Sequence, residues 1–377
     1  MIMMEINRDP QVLSYFQSLH QMPELSWEEV KTSAFIASEL EKMGLEVHRN
    51  IGNSTAVVGI LRGNRPGRVL AMRADMDALP YKDDRGNLIA LHTCGHDAHS
   101  AMLLAAAKRL CIEGIPCGEI RFVFQPAEEK LGGARLLLES GEVDGVDGII
   151  GQHLRACQEL SLHQMTPALR HGASCHVKLR VIGSGAHGAQ PHQGVNPIDA
   201  SALIISGINA IHIDPQIPFS AKVTQICAGS NAPNIIPTQV DMAVDLRAQT
   251  NEAMDELREK VRRAAEMGAA AIGARVEIDA GDCVPAAELD DAMTQLLSRA
   301  MEGVAEEIIP EVVTSGGEDF HFYRAEGGIP AAFFGLGADL TPGLHKQNMT
   351  FNVAALVDGT EVLCRFARAY LPFPAKE

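Results

Sequence analysis

The chain has 377 residues, which is enough for two or three domains that each bury a hydrophobic core. Hydrophobic residues make up 46% of it and charged residues 21%, as in ordinary soluble globular proteins. The formal net charge is -16 and no run of Lys and Arg occurs, so we expect neither a nucleic-acid nor an anionic-membrane partner.

Two helices are predicted near the N-terminus, over residues 10–43, with a break at residues 22–24. The second helix is expected to begin at Ser26, because Ser26 and Glu29 have the spacing of a capping box. Gly44 is expected to end it, since glycine commonly follows the last turn of a helix.

The next part of the chain alternates strands and helices. Apolar or β-branched runs predict four strands: Thr55–Leu61, Gly67–Arg73, Glu119–Gln125 and Asp147–His153. An Ala-rich helix is expected to end near Leu110, and helices and an apolar strand return after Leu289. This alternation predicts an α/β domain with a mostly parallel sheet, built from residues 1–170 and 283–377.

Residues 171–282 have a different pattern, in which polar and apolar residues alternate along one-sided strands. The predicted strands and helices are Ser174–Ile182, Ile198–Ile211, Pro218–Gly229, Gln239–Gln249, Asn251–Ala271 and Ala274–Ala280. Their order, strand–helix–strand–strand–helix–strand, is that of a ferredoxin-like α+β unit. We therefore expect this unit to be a domain inserted into the first.

The eight cysteines are scattered and form no Cys-x-x-Cys pair. The N-terminal residues lack a cationic region followed by an apolar run, so we expect no secretory signal. No stretch approaches the roughly 20 apolar residues that cross a membrane. These features predict reduced thiols and a cytoplasmic protein.

Candidate metal ligands follow the predicted strands of the α/β domain. A short loop offers four of them, namely His92, Cys94, His96 and His99. Acidic or imidazole groups follow three of the predicted strands: Asp75 and Asp77 follow one, Glu128 and Glu129 the next, and His153 the third. The ends of such strands are where ligands collect in α/β sheets. A His-rich loop without metal and ordinary turn chemistry of Asp are the alternatives.

The number of candidate donors indicates two ions rather than one. Five groups are candidates: Cys94, His96, Glu129, His153 and His345. A single catalytic zinc takes about three protein ligands, whereas two ions about 3.5–4 Å apart suit five. One of the adjacent Glu128 and Glu129 can bind metal while the other serves as general base. Asp77, and more weakly Asp75, are expected to accept the free ring N–H of ligand histidines.

Eight motifs in order resemble one enzyme family: RADMDALP, HTCGHDAHSAMLL, FQPAEE with GGA, GQH, GSGAHGAQPH, NIIP, GGEDF and a late LH. The chain is similar to the aminoacylase, hippurate hydrolase and auxin-conjugate hydrolase family of metallopeptidases and amidohydrolases. The resemblance spans nearly the whole chain. The chain departs from the family pattern directly after His153 and His192, and we expect both departures to alter the acyl pocket.

The resemblance implies two divalent metal ions, zinc, manganese, cobalt or nickel, with the five donors above as ligands and Glu128 as general base. The inserted domain becomes a lid, and a homodimer through it is one arrangement in the family. His187 would stabilise the oxyanion, while Asn234, Arg247 and His192 would contact the substrate. Local hydrogen bonding is the alternative for His187.

The predicted function is hydrolysis of the amide bond of an N-acyl amino acid or a similar small amide. A dipeptidase or carboxypeptidase using the same two ions is the first alternative. The second is a non-catalytic amide-binding protein that retains the fold, although the chain keeps Glu128 and all five predicted ligands.

Overall fold

The computed structural model describes residues 10–229, 232–281 and 283–371. It divides into two compact units. The first runs to Arg170 and resumes over Glu288–Val312 and from Asp319, and the second comprises His171–Ala287 and Val313–Glu318. Within the described ranges, no helix is both long and apolar enough to cross a membrane.

The helices are α1 (Pro10–His20), α2 (Val30–Lys42), α3 (His96–Glu113), α4 (Gly133–Glu139), α5 (Pro197–Asn209), α6 (Asn251–Ala270), α7 (Asp291–Met301), α8 (Phe322–Ala325) and α9 (Ala355–Tyr370). The strands are β1 (Glu46–Arg49), β2 (Val57–Arg62), β3 (Val69–Asp75), β4 (Leu79–Lys82), β5 (Leu88–Leu91), β6 (Glu119–Gln125), β7 (Gly148–Ala156), β8 (Gln164–Thr166), β9 (Leu169–His171), β10 (Ala173–Ile182), β11 (Ala186–His187), β12 (Phe219–Ala228), β13 (Ile235–Ile236), β14 (Gln239–Ala248), β15 (Arg275–Asp279), β16 (Cys283–Val284), β17 (Glu307–Ile308), β18 (Val312–Thr314) and β19 (Ala331–Leu340).

The first unit is built on an eight-stranded sheet in the order β1-β2-β6-β3-β7-β19-β8-β17. Its central strands β6, β3, β7 and β19 run parallel, while β1, β2 and β6 pair antiparallel. The central strands are buried almost throughout, as expected for strands that helices cover on both faces. The predicted α/β fold with a largely parallel sheet is therefore confirmed.

Helix α3 lies against the end of β3 and fixes the position of the loop before it. Its small residues are buried, and it packs against α1, α9 and β3. The Ser100 hydroxyl donates to the Asp75 carbonyl at 2.7 Å, which ties the first turns of α3 to the last residue of β3. The N-terminus of α3 therefore lies beside the ends of the central strands.

The predicted capping box at Ser26 and Glu29 is wrong, because α2 begins only at Val30. Both side chains bond groups that are distant in sequence. Ser26 donates to the Asp77 carboxylate, and the Glu29 carboxylate accepts from the Thr55 hydroxyl and from a backbone N–H. Partners elsewhere in the fold thus replace the local bonds that the spacing predicted.

The second unit contains an antiparallel sheet in the order β12-β14-β10-β15, with β16 beside β10. Helices α5 and α6 pack on it and enclose a separate core. Asn196 and Thr250 cap the two helices by accepting from the backbone N–H of Ile198 and Ala253. The unit has the ferredoxin-like element order that the alternating pattern predicted.

The expectation of reduced thiols is wrong for Cys175 and Cys283, which form a disulfide with an S–S distance of 2.01 Å. The two residues face each other on β10 and β16. They are 108 residues apart in sequence. Residue spacing alone therefore gave no sign of the pair.

Candidate metal centre

Five side-chain donors converge in the first unit. The Cys94 sulfur lies 3.4 Å from His153 Nε2 and 3.3 Å from His345 Nε2. Glu129 Oε1 lies 3.4 Å from His345 Nε2 and 3.9 Å from His96 Nε2. The donors form two groups, Cys94–His96–His153 and Cys94–Glu129–His345. Within each group, the three ligand atoms all lie within 4.8 Å of one another. Cys94 belongs to both groups, which is the arrangement expected of a ligand shared by two ions.

Local backbone geometry presents these donors. Cys94 and His96 flank Gly95, which has a φ of 90° and allows the loop to turn into α3. His345 has a φ of 59°, and its N–H bonds the Thr93 carbonyl at 2.8 Å. A positive φ at a residue other than glycine is unfavourable and tends to occur at functional sites.

Two buried atoms that could bind a metal ion, His96 Nε2 and Glu129 Oε1, have no hydrogen-bond partner among the described residues. Burying a polar atom without a partner costs free energy, so such atoms are rare. His153 Nδ1 donates to the Leu154 carbonyl at 2.6 Å, which leaves the lone pair of Nε2 directed at the Cys94 sulfur. The cluster thus has the unsatisfied donors and the tautomer that fit a bound cation.

The electrostatics of the cluster also fit a bound cation. Burial, and then the Glu129 carboxylate, hold the pKa of the Cys94 thiol well above its usual value. Burial favours neutral His96, yet the surrounding acids, Asp75 first, hold its pKa well above the usual range. A divalent cation held there would favour the thiolate of Cys94 and neutral His96, the forms that bind metal.

Asp77 connects the two halves of the cluster and is buried. Its Oδ1 accepts from His96 Nδ1 at 3.1 Å and from the Glu128 N–H at 3.2 Å. Its Oδ2 accepts from Ser26 at 2.7 Å and from the Glu129 N–H at 3.1 Å. One carboxylate therefore orients His96 and the turn that carries both glutamates.

Asp75 lies 3.8 Å from His96 Nε2, but its shortest histidine contact is with His99. His99 Nδ1 lies 2.7 Å from Asp75 Oδ1, and His99 Nε2 accepts from the Leu154 N–H at 3.0 Å. Both ring nitrogens of His99 are thus occupied, and burial lowers its pKa. His92 is also buried, and neither of its ring nitrogens has a hydrogen-bond partner among the described residues.

Glu128 lies at the edge of the donor cluster. Its Oε2 is 3.9 Å from His96 Nε2, and its Oε1 accepts from the Asp319 N–H at 3.4 Å. The Asp319 carboxylate is held in turn by Arg73 and Gln125. Burial raises the pKa of Asp319 to about 6. A buried network therefore fixes the position of the residue that contacts Glu128.

The sequence reasoning did not find Ser26, Arg73 or Gln125 as parts of this network. Arg73 is buried, and it donates to Asp75 at 2.7 Å and to Gln125 at 2.9 Å. An Arg within an otherwise apolar buried strand was an available signal, because buried charges require partners. The partners of Ser26 and Gln125 depend on chain packing and left no signal in the sequence.

The predicted lid residues belong to the second unit. His187 and Asn234 lie on neighbouring segments, since β11 pairs with β13 and the Gly188 N–H donates to the Asn234 carbonyl at 2.8 Å. His187 also lines a cavity of about 610 Å³. Arg247 is paired with Asp245 at 3.0 Å, and His192 is exposed. The roles of these four residues stay predictions.

Relatives cover most of this chain. A thermostable carboxypeptidase of Saccharolobus solfataricus is 34% identical over 339 residues, 86% of this chain and 85% of its own. An N-acetylcysteine deacetylase of Bacillus subtilis is 30% identical over 361 residues, 93% of this chain and 94% of its own. A solved Bacillus subtilis structure, described as a dinuclear metal-binding peptidase of the M20 family, has a TM-score of 0.82 and 28% identity, and the match covers 96% of this chain and 98% of that one.

A family model described as "Peptidase family M20/M25/M40" matches residues 71–369. This range contains all five converging donors and Glu128. The resemblance inferred from the eight sequence motifs is therefore confirmed, and the chain belongs to peptidase family M20/M25/M40.

Proposed function

We propose that the protein is a metal-dependent amidohydrolase that cleaves an N-acyl amino acid or a similar small amide with water. One observation carries the proposal: two groups of donors share Cys94, and the carboxylate of Glu128 lies beside them. The relatives described as a deacetylase and a carboxypeptidase support the same reaction class, since both names denote amide hydrolysis.

The proposed ligands are Cys94, His96, Glu129, His153 and His345. Two divalent cations held there would polarise the carbonyl of the amide and lower the pKa of the attacking water. A donor set of sulfur, nitrogen and oxygen does not select among zinc, manganese, cobalt and nickel. Asp77 would hold His96 in the tautomer that presents Nε2 to the cation, because the His96 Nδ1–H donates to it.

Glu128 is the proposed general base. Its Oε2 would take the proton of the attacking water, and the same carboxyl group would then deliver that proton to the departing nitrogen. The bond from the Asp319 N–H to Oε1 restrains the other carboxylate oxygen, so that Oε2 keeps its direction. The Glu128 side chain is mostly buried, which limits competing contacts with bulk water.

The second unit is proposed to act as the lid, with His187 stabilising the oxyanion and Asn234, Arg247 and His192 contacting the substrate. His187 and Asn234 are exposed neighbours, and the Arg247 guanidinium suits a substrate carboxylate. A homodimer through this unit and a cytoplasmic location are further parts of the proposal. Analytical ultracentrifugation and cell fractionation test them.

The decisive experiment measures hydrolysis of hippurate-like N-acyl amino acids by chelator-treated protein refilled with each metal. Glu128→Gln should abolish turnover while bound metal stays near the wild-type amount, because Gln cannot accept the proton. Glu139→Gln, at an exposed site on α4, is the matched control and should keep full activity. Full activity of Glu128→Gln would remove this residue from the mechanism.

A carboxypeptidase or dipeptidase is the second candidate, favoured by the 34% identity to a protein described as a carboxypeptidase. The same refilled protein is therefore offered free dipeptides and N-blocked peptides. Turnover of dipeptides alone would replace the N-acyl amino acid assignment. If no amide is hydrolysed with any of the four metals, the protein is a non-catalytic member of the family.

A further inference from the structure

The loop between α1 and α2 contacts the turn that carries both glutamates of the candidate metal centre. Glu29 Oε1 accepts a hydrogen bond of 2.9 Å from the backbone N–H of Ala127, the residue directly before Glu128. Trp27 lies against the other end of the same turn, because a Cβ added at Gly132 would be 2.7 Å from the indole. The loop thus holds the turn at both ends.

Ala127 has an unusual backbone conformation. Its φ is 51° and its ψ is 43°, in the left-handed region, and the residue is fully buried. A residue with a Cβ rarely adopts this conformation unless neighbouring groups hold it there. The backbone at Ala127 sets the direction in which the chain enters Glu128. The group that Glu29 holds is the N–H of this strained residue.

Glu29 is buried at a cost that packing alone does not explain. Its side chain is fully buried, and burial raises its pKa. Its other oxygen accepts from the Thr55 hydroxyl at 2.6 Å, and among the described residues it forms no ion pair. A buried carboxylate whose hydrogen-bond donors are all neutral is unfavourable relative to an apolar side chain of similar size. This cost indicates a role for the carboxylate beyond stability.

We infer that Glu29 is a positioning residue for catalysis, which acts on Glu128 by holding Ala127 in its left-handed conformation. The inference rests on the proposed function of Glu128 as general base. Glu29 is not among the converging donors, and it bonds the residue directly before Glu128, whereas the proposed ligand Glu129 lies one residue further along the turn. Loss of Glu29 should therefore disturb the base more than the binding of metal.

The test compares variants that keep or remove the acceptor. Glu29→Leu leaves the Ala127 N–H without a partner, so kcat should fall by about tenfold to 100-fold. KM and bound metal, measured by elemental analysis, should stay within about twofold to threefold. Glu29→Gln keeps an amide oxygen for the Ala127 N–H, and Thr55 can accept from its NH2 group. Its kcat should stay within about threefold of wild type.

The second arm is a rescue. Glycine adopts positive φ without penalty, so Ala127→Gly removes the need for an external restraint. The double variant Glu29→Leu/Ala127→Gly should recover most of the kcat that Glu29→Leu loses. A merely structural role predicts the opposite, namely that the two changes lower stability together and that kcat is not regained. Should Glu29→Leu fail to fold, Glu29→Asp replaces it, since its shorter carboxylate cannot reach both Thr55 and Ala127.

Glu24→Gln is the matched control in the same loop. The Glu24 carboxylate accepts from the N–H groups of Lys31 and Thr32 at the start of α2 and not from the turn. This variant should lower the melting temperature without changing kcat. Equal loss of kcat in the Glu24 and Glu29 variants would overturn the inference, as would wild-type kcat in Glu29→Leu.

Trp27, the single tryptophan of the chain, gives a readout that does not need activity. Its emission should move to longer wavelength in Glu29→Leu and return in the double variant with Ala127→Gly, as its contact at Gly132 is lost and restored. If wild-type protein hydrolyses no amide, the proposed function fails, and this emission pattern still decides whether Glu29 holds the turn. Unchanged emission in Glu29→Leu would refute the inference in that case.

Discussion

Replacement of Asp77 by Asn should weaken metal binding by about 10-fold to 100-fold. Residues that hydrogen-bond and orient metal ligands in other proteins have effects of this size when they are replaced. Each carboxylate oxygen of Asp77 accepts two hydrogen bonds, from His96 and Glu128 on one side and from Ser26 and Glu129 on the other. Asn supplies only one acceptor oxygen, so two donors then face an NH2 group. Two bonds to a charged group correspond to about 3–6 kcal/mol.

The free energy lost with these two hydrogen bonds of Asp77 is divided between folding and metal binding. A 10-fold to 100-fold loss of metal affinity corresponds to about 1.4–2.7 kcal/mol of this loss. The assay is zinc competition with a chelator of known affinity, together with urea unfolding of the metal-free protein. Asp83→Asn is the matched control, because its exposed carboxylate also accepts from two backbone N–H groups and one side-chain amide. Zinc affinity of Asp77→Asn within twofold of the control would refute the reasoning.

Three further predictions concern neighbouring groups. Cys94→Ala should reduce bound metal, measured by elemental analysis, from two ions per chain to one or none. The control Cys111→Ala should keep two ions. If both variants bind two ions, the Cys94 thiolate is not shared between them. Arg73→Met leaves the buried carboxylates of Asp75 and Asp319 without their cation. It should lower the free energy of unfolding, measured in urea, by about 3–5 kcal/mol. The control Arg275→Met, at an exposed site, should change this free energy by less than about 1 kcal/mol. Burial, and then the nearby Arg73 and Arg170, lower the pKa of His321 to about 3. The folded state therefore binds fewer protons than the unfolded state, and the free energy of unfolding falls as pH drops below about 6.5, by about 2 kcal/mol at pH 5. A His321→Leu variant that keeps this pH dependence would contradict the assignment.

The fold was largely predictable because its strands carry strong patterns. The strict alternation over Ser174–Ile182 predicted a one-sided strand, and the structure has β10 at Ala173–Ile182. The apolar run Glu119–Gln125 predicted a buried strand, and β6 has the same bounds. Such patterns reflect burial on one face or both, which is a local property of each strand.

Interactions between distant residues were not predictable in the same way. Ser26 and Glu29 have the spacing of a helix cap, yet their partners Asp77 and Ala127 are 51 and 98 residues away. The disulfide between Cys175 and Cys283 was missed for the same reason. Local spacing cannot show which distant group competes for a side chain.

The candidate site falls between these cases. The donors follow strands or begin a helix, so the sequence could predict that they meet at one edge of the sheet. Their grouping around Cys94 depends on loop backbones, such as those at Ala127 and His345, whose positive φ values follow from contacts elsewhere in the fold. The sequence could therefore predict which residues gather, whereas the distances between them depend on the folded backbone.

The central claim is that two divalent ions at the cluster around Cys94 enable this chain to hydrolyse amides. The most direct test removes all metal with a chelator and titrates Mn²⁺ or Zn²⁺ back while bound metal and hydrolysis of an N-acyl amino acid are measured together. We predict no activity without metal and full activity at two ions per chain. Hydrolysis by metal-free protein, or saturation at a single ion, would contradict the two-ion account.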